Sequence, residues 1–296
     1  MSINFYLPGL TSRNLQLSVL FKRIMDTHPE MFYDNFKIGA FYGCFRTALW
    51  NGGRLNEHGQ LSLTEMKETI ALLKELGIPI RYTYTNGLIR QEHLQDTFCN
   101  KTMELADNNS GNGVIVSSDI LESYLRDKYP SFKYILSSTK FLRDLDSINK
   151  ATDKYDMVVL DGRDVANFDF LNKIENKQKV EIMLNLACDK NCSLWETHFR
   201  KICAINLNEL DPSEYSSVVA ACPKAVTEPM SLKDMAKTGR IIQVEDIFNK
   251  YIKMGFSNFK IVGRVAPLTD VLDAYLYYLC KSEYISSVKA ELIKLI

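Results

Sequence analysis

The sequence is most informative first for what it does not contain. No stretch of the 296 residues reaches 18 uninterrupted apolar positions, so no membrane-spanning helix is expected. The opening residues, Met1 to Gly9, have no basic region, and Pro8 and Gly9 break their apolar run, so they do not read as a secretory signal. Lys+Arg and Asp+Glu are both 36, a formal net charge of zero, which removes any electrostatic need for a polyanion and disfavours broad nucleic-acid binding. There are only four histidines and no closely spaced pair of them, which argues against a histidine metal site; His198 reads as a surface or helix-packing residue. Gly-x-Ser-x-Gly, the Walker loop and His-Glu-x-x-His are all missing, so serine hydrolase, nucleotidase and zincin chemistry find no support. Low-complexity tracts are absent, as is any linker long enough to divide the chain.

What is present describes a well-packed α/β protein. With 46% hydrophobic and 11% aromatic residues the chain can bury a large core. Seven cysteines without an export signal imply a reducing, cytoplasmic setting, where clustered thiols read as metal ligands or catalysts before disulfides.

Apolar β-type runs alternate with helical stripes along the chain. Arg13 to Thr27 carries Leu17, Leu20, Phe21, Ile24 and Met25 at helical spacing. Strand candidates begin at Lys37, Ile78, Val114, Lys133, Met157, Val180, Ser216 and Phe259, with helical segments between most of them. Phe5-Tyr6-Leu7 reads as a further short strand ending in a turn. Such alternation calls for parallel βαβ units, and the count of eight favours closure. The expected fold is a single (β/α)8 TIM-type barrel over residues 1–296, with C-terminal helices and an irregular insertion around 207–240. A doubly wound open sheet is the alternative, although no Gly-x-Gly-x-x-Gly follows the early strands.

Active sites of such barrels lie beyond the carboxyl ends of the strands. Cys188 and Cys192 follow the Val180 run, Cys222 follows the Ser216 run, and Cys44 ends the Lys37 run. Four thiolates converging from different loops can hold an iron–sulfur cluster, and tetrahedral zinc would accept the same set. Cys99 and Cys203 sit within helical patterns and are second choices. The plain alternative is buried, reduced thiols that pack as small hydrophobes. Gly263-Arg264, just after the last strand, offers a close backbone approach and a planar fork for phosphate or carboxylate; an ion pair with Asp161 is the structural alternative. Asp161-Gly-Arg163-Asp164 supplies candidate acid/base carboxylates, or a turn with a helix cap. Tyr84, with Tyr82 and Tyr42, is a core or pocket-wall residue or a platform for an aromatic substrate.

Gly255-Phe-Ser-Asn-Phe-Lys-Ile-Val-Gly-Arg264 resembles the Gly-x-x-x-x-Lys-Ile-Glu-Gly-Arg signature of the proteins called peptidase family U32. Other segments are similar in the same order: Phe5 to Gly9, Gly77 to Leu88 with Asn86 at a strand end, Gly113 to Ser118, and Ser138-Thr139. Cys188 falls where that family carries a cysteine. Val262 replaces the Glu of the signature, and Leu184 and Asn185 stand where a His is usual. The resemblance implies a barrel with an iron–sulfur (4Fe-4S) cluster, and accessory or hydroxylase-like work on a small aromatic or nucleobase substrate. Asn86, Ser138 and Thr139 then join the site. A non-catalytic binding or scaffold protein with a protein partner is the rival expectation, and a peptidase-type hydrolase a third.

Overall fold

The computed structural model describes residues 2–11, 14–56, 59, 61–106, 111–186, 188–214, 216 and 231–295. Eight parallel strands close a barrel in chain order: β1 (Ile3–Leu10), β2 (Phe36–Gly43), β3 (Ile80–Tyr84), β4 (Gly113–Val116), β5 (Lys133–Leu136), β6 (Met157–Val159), β7 (Val180–Met183) and β8 (Asn258–Lys260). Closure is made by β8, which pairs with both β7 and β1. The expected barrel is therefore present, but its eight strands differ from the eight counted in sequence. The Phe5 run, taken there as a short strand outside the count, is the first barrel strand and one of the two longest. β7 pairs directly with β8, so the Ser216 run contributes no stave between them; residues 217–221 lie outside those described.

Helices follow where polar caps precede apolar stripes. Ser62 starts α2 (Leu63–Glu75) through a capping box with Glu65, Ser118 caps α4 (Asp119–Lys128), and Asp144 caps α5 (Leu145–Lys154). α1 (Leu15–Thr27), α3 (Thr97–Ala106) and α6 (Phe168–Lys173) continue the outer ring, with the C-terminal helices Leu268–Leu279 and Ile285–Leu295. In the 207–240 stretch the described part includes a short helix, α8 (Leu232–Lys237). None of the described helices is long and apolar enough to cross a membrane.

Two separate apolar cores result from strand alternation. The larger lies between barrel and helices and contains Phe5, Leu7, Phe41, Tyr82, Tyr84, Ile182 and Phe259. The smaller, inside the barrel, contains Tyr6, Ala40, Tyr42, Ile115, Ile135, Met157, Val159 and Met183. Charge runs through that inner core. Arg81 on β3 reaches across to Glu181 on β7 at 2.6 Å, and Lys260 on β8 stands 3.2 Å from the other carboxylate oxygen. The guanidinium lies 3.5 Å over the Tyr6 ring and the ammonium 4.0 Å over that of Tyr42, so each buried cation also meets an aromatic face.

The helix after β7 departs from the outer ring. α7 (Trp195–Asn206) lies across the carboxyl-terminal mouth, with Glu196 of its first turn 3.7 Å from Arg163 beyond β6. Its far end is tied to the opposite rim, where Cys203 O accepts from Asn86 Nδ2 and Asn206 Nδ2 donates to Asn51 O and Arg54 O. Twelve residues of α-helix span about 18 Å, enough to roof a small barrel.

Candidate functional site

Beneath and beside this roof, the β8 end of the mouth is built around Arg264. The loop after β2 folds inward so closely that a Cβ on Gly52 would stand 2.2 Å from the Thr85 carbonyl oxygen. Gly53, at φ +72°, continues the turn, and a side chain there would crowd the Arg264 guanidinium at 3.2 Å. That approach seats the fork. Arg264 Nη1 donates to Thr83 Oγ1 at 2.7 Å and Asn51 Oδ1 at 3.1 Å, and Nη2 donates to Gly52 O at 3.0 Å. All three acceptors are neutral. Among the described residues no carboxylate pairs with Arg264, and Asp161, the expected structural partner, is held elsewhere. Gly263 is buried, its carbonyl accepts from Asn14, and a Cβ on it would meet Val271 at 3.1 Å.

Arg46 and Arg54 complete a basic rim. Together with Arg264 they line a hollow of about 30 Å³ whose described wall includes Thr11, Cys44, Asn51 and Asn56 and no acidic side chain. Arg46 Nε is buried without a hydrogen-bond partner. Arg54 donates to Gly53 O. Burial, with Arg54 as a second cause, holds the imidazole of His198 on α7 below its ordinary pKa.

The opposite side of the mouth is internally neutralised. Asp161 accepts from the backbone N–H, Nε and Nη2 of Arg163 at 2.7–2.9 Å, a turn closed by a bidentate pair. Asp164 is gripped in the same way by Arg143, at 2.7 and 2.8 Å. Arg163 also lies 5.7 Å over Trp195 and 5.8 Å over Phe141. Both carboxylates are thus engaged in forks, which favours the turn reading of Asp161 and Arg163 over acid/base work.

The remaining expected residues separate. Asn86 is fully buried and acts as a tether, with Oδ1 accepting from Leu88 N and Nδ2 bound to α7. Ser138 and Thr139 lie half-buried in a tight turn after β5 that Ser137 caps, its hydroxyl accepting from Thr139 N and meeting the Thr139 hydroxyl. Tyr84 does not face the mouth. Its strand phase turns it outward, where it packs edge-on against Trp50 at 5.2 Å between barrel and helices. Cys44 is half-buried in the wall of the arginine hollow. Cys188 and Cys192 share the loop before α7, also half-buried, closed by a turn from Cys192 N to Asp189 O. Cys222 lies outside the described residues. Among the described residues no three His, Cys, Asp or Glu side chains gather into a group able to hold a metal ion. Sequence reading missed Arg46, Arg54 and the roofing of the mouth by α7. Arg46 stands two residues past Cys44 and Arg54 follows Gly52-Gly53, signals that a search for loop arginines would have met.

The chain shares its fold with the U32 peptidase Mk0906. That structure aligns with a TM-score of 0.52 over 90% of this chain and 95% of the other, at 13% sequence identity. No family model matches the sequence, and no curated protein matches it either. At that identity the likeness carries the barrel and its topology.

Proposed function

We propose that the protein binds a small anion at the barrel mouth, with Arg264 as the principal contact and Arg46 and Arg54 beside it. One observation carries this reading. Arg264 is half-buried, fixed in direction, and among the described residues faces neutral acceptors only. A guanidinium has five N–H donors, and three hydrogen bonds leave its Nε–H and one Nη2 hydrogen to offer. A cation withdrawn from water without a counter-charge is favourable ground for an anionic ligand, and the planar fork suits a carboxylate or phosphate. Thermal shifts at low salt test it. Acetate or inorganic phosphate should raise the Tm of the wild type, and Arg264→Met should abolish most of that rise while keeping the far-UV spectrum of the barrel. Equal protection of the variant would overturn the assignment.

A second reading keeps the cluster. It is favoured by the Cys188/Cys192 pair, which shares one turn at the mouth, with Cys222 and Cys44 as further ligands and an aromatic or nucleobase substrate as its target. The described thiols do not gather into a complete ligand set, so no reaction step is drawn through iron or zinc. Anaerobic purification followed by iron, sulfide and zinc analysis decides it. Brown protein bleached by Cys188→Ser supports the cluster; colourless, metal-free protein leaves binding without redox chemistry.

A further inference from the structure

A second hollow adjoins the arginine rim and differs from it in character. It measures about 160 Å³, and its wall includes Leu10, Leu15, Phe45 and Leu61 together with Thr69 of α2. The two hollows share Thr11, Cys44, Phe45 and Arg46, so a ligand seated on Arg264 has this apolar chamber beside it. The sizes are unequal in a telling way. The first hollow, of about 30 Å³, sits beside the arginines and suits a small charged head, and the planar Arg264 fork matches the two oxygens of a carboxylate. A cavity of about 150 Å³ lined by apolar side chains accepts a benzene ring, and the second chamber is of that volume.

We propose that the ligand is an amphiphilic monocarboxylate, its head on Arg264 and Arg46 and an apolar group of about six carbons among Leu10, Leu15 and Leu61. This rests on the anion-binding reading above and narrows its ligand. The arginines supply direction and the chamber supplies most of the affinity, since burying a ring-sized group removes far more apolar surface from water than burying a methyl. Cys44, in the wall of both hollows, then lies against the bound acid at the junction of head and tail.

Calorimetric titration of the full chain with benzoate, hexanoate, acetate, inorganic phosphate and benzyl alcohol tests the proposal. Benzoate or hexanoate should bind at least about tenfold more tightly than acetate, by the added apolar burial, and benzyl alcohol, lacking the charge, should bind more weakly than benzoate. Thr69→Phe, which projects a ring toward the chamber and leaves every arginine in place, should erase the advantage of benzoate over acetate. Site-resolved thiol labelling gives a readout that needs no variant: benzoate should slow modification of Cys44, and acetate at the same concentration should not. If acetate, phosphate and benzoate bind alike and Cys44 labels at an unchanged rate, the amphiphilic ligand is wrong while anion binding stands. If none of them binds, both readings fail together.

Discussion

Arg163 and Arg264 occupy comparable places, each following a strand end at the carboxyl-terminal mouth, yet their partners are of opposite kinds. Arg163 closes a bidentate pair on Asp161 two residues away, within one turn. Arg264 reaches instead to Thr83, Asn51 and Gly52 on distant segments and finds no carboxylate among the described residues. The contrast shows where the fold spends its carboxylates. On the β6 side every loop charge is matched locally, by Asp161 with Arg163 and Asp164 with Arg143. On the β1, β2 and β8 side the described wall of the hollow carries Arg264, Arg46 and Arg54, and in the barrel below it Glu181 faces both Arg81 and Lys260. On the anion-binding reading proposed above, the Arg264 side of the mouth receives the ligand, while on the neutralised side Arg163 meets Glu196 of α7.

Removing the single inner carboxylate should have the largest effect. Glu181→Gln keeps the volume but leaves Arg81 and Lys260 buried together without a counter-charge. Breaking a buried ion pair in this way costs about 3–5 kcal/mol, read as a lower urea midpoint with unchanged slope. A loss below about 1 kcal/mol would mean that water or side-chain movement already compensates the two cations.

The two mouth arginines should then separate by cost. Arg163→Met strands Asp161, which is 2% exposed and retains only its backbone donor, so a loss of about 3 kcal/mol is expected. Arg264→Met strands neutral acceptors, for which about 1–3 kcal/mol is the range. Equal costs in urea melts would erase the distinction between a structural and a ligand-facing arginine. A larger loss at Arg264 would reverse it.

Much of the architecture was legible in sequence because strand and helix periods are local properties. The strands at Lys133, Met157 and Val180 start where the apolar runs start, and the stripe of Leu17, Leu20, Phe21, Ile24 and Met25 falls on α1. The exchange of the Ser216 run for Ile3–Leu10 has a physical cause: closure is decided by which staves reach β8, and no local pattern records that. Side-chain phase was legible in principle, since Arg81 and Thr83 must face one way and Tyr82 and Tyr84 the other. The polar pair faces inward here, where Glu181 lies across the barrel to receive Arg81. Of the proposed anion site only Arg264 was legible, where a glycine and an arginine follow a strand. Its neighbours Arg46 and Arg54 come from a loop whose inward fold depends on Gly52 meeting Thr85, a contact between segments distant in sequence.

The smallest predicted effect lies in pH and concerns the surplus cation of the inner core. Burial lowers the pKa of Lys260, Arg264 and Arg81 lower it further, and Glu181 opposes them. The facing Tyr42 phenol is pushed up by burial, so it stays neutral across the range that matters. An unfolded lysine titrates near about 10.4. Between the lowered folded value and that point the unfolded chain binds more protons than the native one, so stability rises with pH across the window. Below it the ammonium is charged in both states and the full cost of burying it is present; above it the cost is gone. Lys260→Met removes the group, and Glu181 keeps Arg81 as its partner. The stability of wild type minus that of Lys260→Met should therefore climb as pH is raised toward the ordinary lysine range, with a slope no steeper than about 1.4 kcal/mol per pH unit, the limit for one proton. Other tyrosines and surface lysines titrate in both proteins and cancel in the difference. A flat difference across the window would mean that Glu181 fully offsets burial, and a falling one that the ion pair dominates and the inner charge is balanced after all.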